Sequence, residues 1–221
     1  MSSALIILFV FIVVFFATFV LTSTLNFKKR FKEDYDMRNM FPYEFNYQGQ
    51  FKDNLIGNLS IIFMAVAGIV FYSLSYKYTQ YGMIMTLLIC GVVASIAMPF
   101  ITLLPIKFLK WHSIADALFF ITTLFGGAAI GLANLLIFRD NQEAIYLVIT
   151  ILGFVVAVFD LLLVLNPKLS KWANLEKVDN GNGNFSYQRP KLFPLAYTEW
   201  LYYLSYILVT ALSLFTYIVI K

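Results

Sequence analysis

Few side chains in this sequence are suited to chemistry. His112 and Asp116 stand four residues apart, so a helix through both puts them on one face. A carboxylate beside an imidazole there makes a proton relay or a general base. Asp160 sits in an apolar run, with Phe159 before it and Leu161, Leu162 and Leu163 after it, and a buried acid needs a partner. His112, Asp116 and Asp160 are therefore the catalytic candidates, as acid, base or metal ligands. The competing reading makes Asp116 a residue favoured by a helix N-terminus and His112 an interfacial anchor.

Other chemistry is excluded by counting. The single histidine rules out HExxH and bis-histidine haem sites, and the single cysteine, Cys90, rules out disulfides, thiolate clusters and CxxC pairs. No metal site and no cofactor is expected. No P-loop, Rossmann or serine-hydrolase signature is found.

The elements that must position these side chains belong to a membrane protein. Of 221 residues, 61% are hydrophobic and 13% charged, whereas a soluble domain carries roughly a quarter charged residues. Crossing the hydrocarbon takes about 20 apolar residues. Six runs meet that length: 4–25, 55–76, 82–104, 113–138, 144–165 and 200–220. Without period-2 alternation, and with every backbone amide needing a partner inside lipid, each run must be a helix. The expected architecture is all-α: a polytopic bundle of six transmembrane helices spanning 1–221, with short outer hairpins and longer inner loops at 26–54 and 166–199. The first run is too long, and its start too uncharged, for a cleaved signal peptide.

Thirteen of the sixteen Lys and Arg residues fall in three alternate loops, among them Lys28, Lys29, Arg30, Lys110 and Lys171. Positive charge stays in the cytoplasm, so those loops are expected inside and both termini outside, by default in a bacterial plasma membrane. Because the basic residues sit between apolar runs, the net charge of +4 does not argue for nucleic acid. The expected partners are the bilayer and a membrane protein or a second copy. Under this orientation Asp116, Asp160, Glu199 and His112 share one polar layer beneath the cytoplasmic interface. The aromatic first loop, with Phe41, Tyr43 and Phe45, reads as an interfacial segment. The run from Asp179 to Asn184 reads either as a hairpin tip or as a flexible linker.

Helices in lipid are held by close backbone approach and by polar contacts. Gly127 and Gly131 form a GxxxG face, with Gly68, Gly91 and Gly153 as partners on neighbouring helices. That face makes the fourth helix central and leaves the glycine-free first helix facing lipid. Pro99 is expected to kink the third helix. Tyr72, Tyr202 and Tyr203 read as interfacial belts.

Between the polar layer and the outer hairpins no ionisable group occurs, only hydroxyls and an amide such as Asn134, Thr150 and Ser213. The leading reading is a non-enzymatic module that binds a partner or a lipid through its inner loops and helix 4 face. A carrier for a small neutral or amphipathic solute is the second reading. An intramembrane enzyme acting on lipid headgroups through His112, Asp116 and Asp160 is the third.

Overall fold

The computed structural model describes residues 2–46, 51–80, 83–104, 108–166, 176–179, 181, 185–188 and 191–220. Six helices carry the chain: α1 (Ser2–Phe31), α2 (Leu55–Leu74), α3 (Ile84–Leu103), α4 (Leu109–Asn141), α5 (Ala144–Val164) and α6 (Pro194–Val219). All six are long and apolar enough to cross a membrane. Between α5 and α6, β1 (Glu176–Asp179) pairs antiparallel with β2 (Phe185–Gln188), Asp179 opposite Phe185. Gly181, with φ +85, turns the chain between them, a conformation that suits glycine. Of the residues singled out above, Lys171, Asn180 and residues 182–184 of the hairpin tip lie outside the described set.

Helix ends differ from the apolar runs because capping groups, not hydropathy, stop a helix. α1 continues through Lys28, Lys29 and Arg30, cations that suit its C-terminal dipole, and the chain then leaves it at Lys32 with φ 61. α4 begins at Leu109, which places His112 inside the helix. α6 begins at Pro194, a residue preorganised for the first helical turn, so Glu199 lies in its second turn rather than at its mouth. Gln142, in the left-handed conformation, closes α4 and allows α5 to start two residues later.

α6, not α4, is the central helix, for it meets all five others. Phe16 of α1 stacks on Tyr203, centroids 5.9 Å apart. Tyr72 of α2 shares a 2.8 Å hydrogen bond with Thr210. Ser95 and Thr102 of α3 bond the hydroxyls of Tyr206 and Tyr203, each at 2.7 Å. Asn134 of α4 donates to Thr216 at 2.9 Å, and Ser205 donates to Asp160 of α5 at 2.6 Å. Lipid competes for apolar contacts but offers no hydrogen bonds, so the helix richest in hydroxyls gathers its neighbours. Tyr72, Tyr202, Tyr203 and Tyr206 are thus buried core residues and not an interfacial belt.

The glycines divide by role. A Cβ on Gly153 would stand 2.8 Å from Gly131 N and 3.0 Å from Gly127 O, so α4 and α5 touch backbone to backbone. Gly68 instead clears Tyr206 and Ser95, and Gly91 clears the Tyr72 ring. α3 stays helical through Pro99. α1 is the least buried helix and presents one stripe inward, Leu5, Ile12 and Phe19, at seven-residue spacing.

The segment after α1, read above as interfacial, packs on the helices. It folds back as a cap over the end of the bundle where the long loops meet. Phe45 and Trp200 pack on Phe19, on each other and on Tyr35. Trp200 Nε1 donates to Met40 O at 3.1 Å, and Phe193 N donates to Arg38 O at 2.8 Å. Asn46 and Asn58 exchange amide hydrogen bonds, and Asn46 also donates to Thr102 O. The Arg38 guanidinium beside Asp36 donates two bonds to that carboxylate and holds it below the usual carboxylate range, which fixes the turn that presents Arg38 O. Satisfied backbone and buried rings together hold the cap on the bundle.

Candidate functional site

Beneath the cap, α4 and α6 bring three ionisable side chains together. His112 and Asp116, one turn apart on α4, face Glu199 on α6. His112 Nε2 lies 3.5 Å from Asp116 Oδ2 and 4.0 Å from Glu199 Oε1. One ligating atom from each falls within 4.8 Å of the other two. All three are buried, at 3%, 7% and 0% exposure. The 3.5 Å and 4.0 Å separations exceed the 2.7–3.2 Å or so of a good N–H···O bond. His112 Nδ1, Asp116 Oδ1 and both Glu199 oxygens have no hydrogen-bond partner. Among the described residues no lysine or arginine forms an ion pair with either acid.

The cap closes the group from the loop side. The Tyr43 ring meets His112 edge-on, centroids 5.1 Å apart. Glu44 of the cap is buried, and its Oε1 accepts from Phe41 N at 3.0 Å.

Asp160 stands apart. Its Oδ1 accepts from Ser205, and its carbonyl oxygen accepts from the Tyr202 hydroxyl at 2.7 Å. Ser205 is six residues beyond Glu199 on α6, about 9 Å deeper at 1.5 Å per residue. The single polar layer expected from the sequence is therefore two levels, His112–Asp116–Glu199 near the cap and Asp160–Ser205 below it. Glu199 had been placed in that layer but not among the catalytic candidates; the proline at 194, read as a helix start, is the signal that moves it into the bundle.

The lower pair is the simpler one energetically. Ser205→Ala leaves both Asp160 oxygens unpartnered, and a loss of about 1–3 kcal/mol of stability is expected. Asp160→Asn retains an oxygen to accept from Ser205 and is expected to lose less. Thermal melts of the two variants check the order, and equal losses would show that the hydrogen bond does not hold this level together.

The opposite face of α4 is apolar. Val93, Ile96, Ala97, Phe100 and Leu104 of α3 with Trp111, Ile114, Ala115 and Leu118 of α4 line a groove of about 540 Å³. Ile96, Phe100, Trp111 and Leu118 are all exposed. Lys110, which precedes Trp111 in the sequence, is exposed. The volume falls within the roughly 300–1,000 Å³ typical of small-molecule sites.

The hydroxyls and the amide nitrogen expected to line a solute path already donate within the bundle. Thr150 donates to Tyr146 O, Ser213 to Val209 O, and Asn134 to Ile130 O and Thr216. No protein-family model, no curated protein and no solved structure matches the chain.

Proposed function

We propose that this chain is a lipid-binding module of the plasma membrane, its basic loops in the cytoplasm and both termini outside. Six apolar helices support insertion in a membrane, and the clustering of Lys and Arg in alternate loops supports the orientation. The observation that carries the lipid reading is the groove between α3 and α4. Its lining is wholly apolar and includes the exposed ring of Trp111, and exposed Lys110 is the adjacent residue in the sequence. Its occupant is an anionic phospholipid: one acyl chain lies against Ile96 and Leu118, and the phosphate reaches the Lys110 ammonium while the Trp111 indole sits at headgroup level. The carrier reading is weakened because the hydroxyls of Thr150 and Ser213 and the amide nitrogen of Asn134 already donate within the bundle.

The test reads retained lipid by native mass spectrometry after purification in mild detergent. Ile96→Trp fills the groove from an exposed position, and bound phospholipid is expected to fall several-fold with unchanged folded yield. Lys110→Gln is expected to keep lipid but lose the preference for anionic headgroups. Equal lipid retention in Ile96→Trp and the parent removes the proposal. For orientation, a cysteine at exposed Lys191, in the Cys90→Ala background, is expected to react with an impermeant maleimide only in inverted vesicles; reaction in intact cells reverses the topology.

A further inference from the structure

We propose that His112, Asp116 and Glu199 form a binding site for one divalent metal ion of the zinc–manganese class. Neither the lipid reading nor the groove is needed for it, since Trp111 and Ala115 stand on the other face of α4.

The first support is the spacing of the donor atoms. Atoms about 2.0–2.2 Å from a common ion stand about 3.0–3.5 Å from one another at octahedral or tetrahedral angles. The His112 Nε2 to Asp116 Oδ2 distance of 3.5 Å has that value, and Glu199 Oε1 at 4.0 Å needs a sub-ångström side-chain adjustment. A direct hydrogen bond would have drawn the groups closer.

The second support is the unpartnered atoms. Glu199 is fully buried, and both of its oxygens lack partners although His112 and Asp116 lie beside it. Two ionised carboxylates in an apolar bundle are expensive to bury unless paired or coordinated to metal. Here a dication balances both: two carboxylates, a neutral imidazole and one M²⁺ sum to zero net charge.

The donor set selects the class of ion. One imidazole nitrogen with two carboxylates suits zinc or manganese; calcium and magnesium favour all-oxygen shells, and copper(I) favours sulfur. Three protein ligands also leave a coordination position for water or a substrate oxygen. One histidine and one cysteine exclude histidine-rich and thiolate sites, but two carboxylates delivered by separate helices complete a donor set without them, contrary to the expectation of no metal site.

The sequence provides an unusual control. His112 is the sole histidine, so with a purification tag that contains none, any imidazole signature on a bound metal belongs to it. The experiment loads the full chain, purified in detergent and stripped with chelator, with Zn²⁺ or Mn²⁺ and counts bound metal by elemental analysis after gel filtration. Cu²⁺ loading followed by electron spin echo spectroscopy then looks for imidazole nitrogen. One equivalent of metal, one imidazole coupling, and at least about 100-fold weaker binding in Asp116→Asn and Glu199→Gln are expected. Failure of the parent to retain metal overturns the proposal, as does copper bound without imidazole coupling or variants that bind like the parent. If a variant does not fold, the stoichiometry and spectrum of the parent decide alone.

Discussion

Replacing Gly153 by valine is expected to remove about 3 kcal/mol or more of stability and to lower Tm by roughly 6–12 °C for a chain of this size. The reason lies in what the new side chain meets. A Cβ on Gly153 would stand 2.8 Å from Gly131 N, 2.9 Å from Gly131 Cα and 3.0 Å from Gly127 O, all backbone atoms of α4. Backbone cannot rotate aside, so α4 and α5 must separate along the whole contact. Gly131→Ala provides the contrast. There the nearest atoms belong to the Phe154 ring, at 3.2–3.3 Å, and a ring can tilt by a few tenths of an ångström. That variant is expected to stay within about 1 kcal/mol of the parent. Fluorescence-detected gel filtration after a temperature ramp measures both. A Gly153→Val protein that melts with the parent would mean that these helices do not meet at their glycines.

The six spans are legible because hydrocarbon thickness fixes their length and the exclusion of charge fixes their limits. Nothing comparable marks a helix as central. In a soluble protein the buried stripe is apolar, whereas here Glu199, Tyr202, Tyr206, Thr210, Ser213 and Tyr217 form a polar stripe at helical spacing on α6, and that stripe faces inward. A tyrosine near the end of a span reads equally well as a belt residue, since both settings give its ring an apolar body and its hydroxyl a partner. The glycines carry the same ambiguity. A small residue admits either a backbone, as Gly153 does, or a ring, as Gly91 does for Tyr72. The pairing of His112 with Asp116 follows from i,i+4 spacing alone. That Glu199 completes the group, and that Asp160 does not, depends on the depth at which α6 begins, which Pro194 sets and hydropathy blurs.

Glu199→Met tests whether the buried acid is held for folding or against it, because the two cases give opposite signs. A glutamate chosen for packing would pair its oxygens, yet both are unpartnered and the side chain is fully buried. Methionine matches its length and needs no hydrogen bond. Removing an uncompensated carboxylate in favour of an apolar group of similar volume is expected to raise the stability of the metal-free protein by about 1–4 kcal/mol. Metal should then invert the order. At a concentration 100 times Kd a single ion stabilises the parent by about 2.7 kcal/mol, while a variant that has lost a ligand gains little. Melting curves recorded with chelator and with Zn²⁺ or Mn²⁺ read both signs. A metal-free Glu199→Met protein less stable than the parent would assign Glu199 to the fold. If its melting temperature with chelator is higher and the parent alone responds to metal, then the bundle carries this acid at the expense of its own stability, for the sake of the ion it holds with His112 and Asp116.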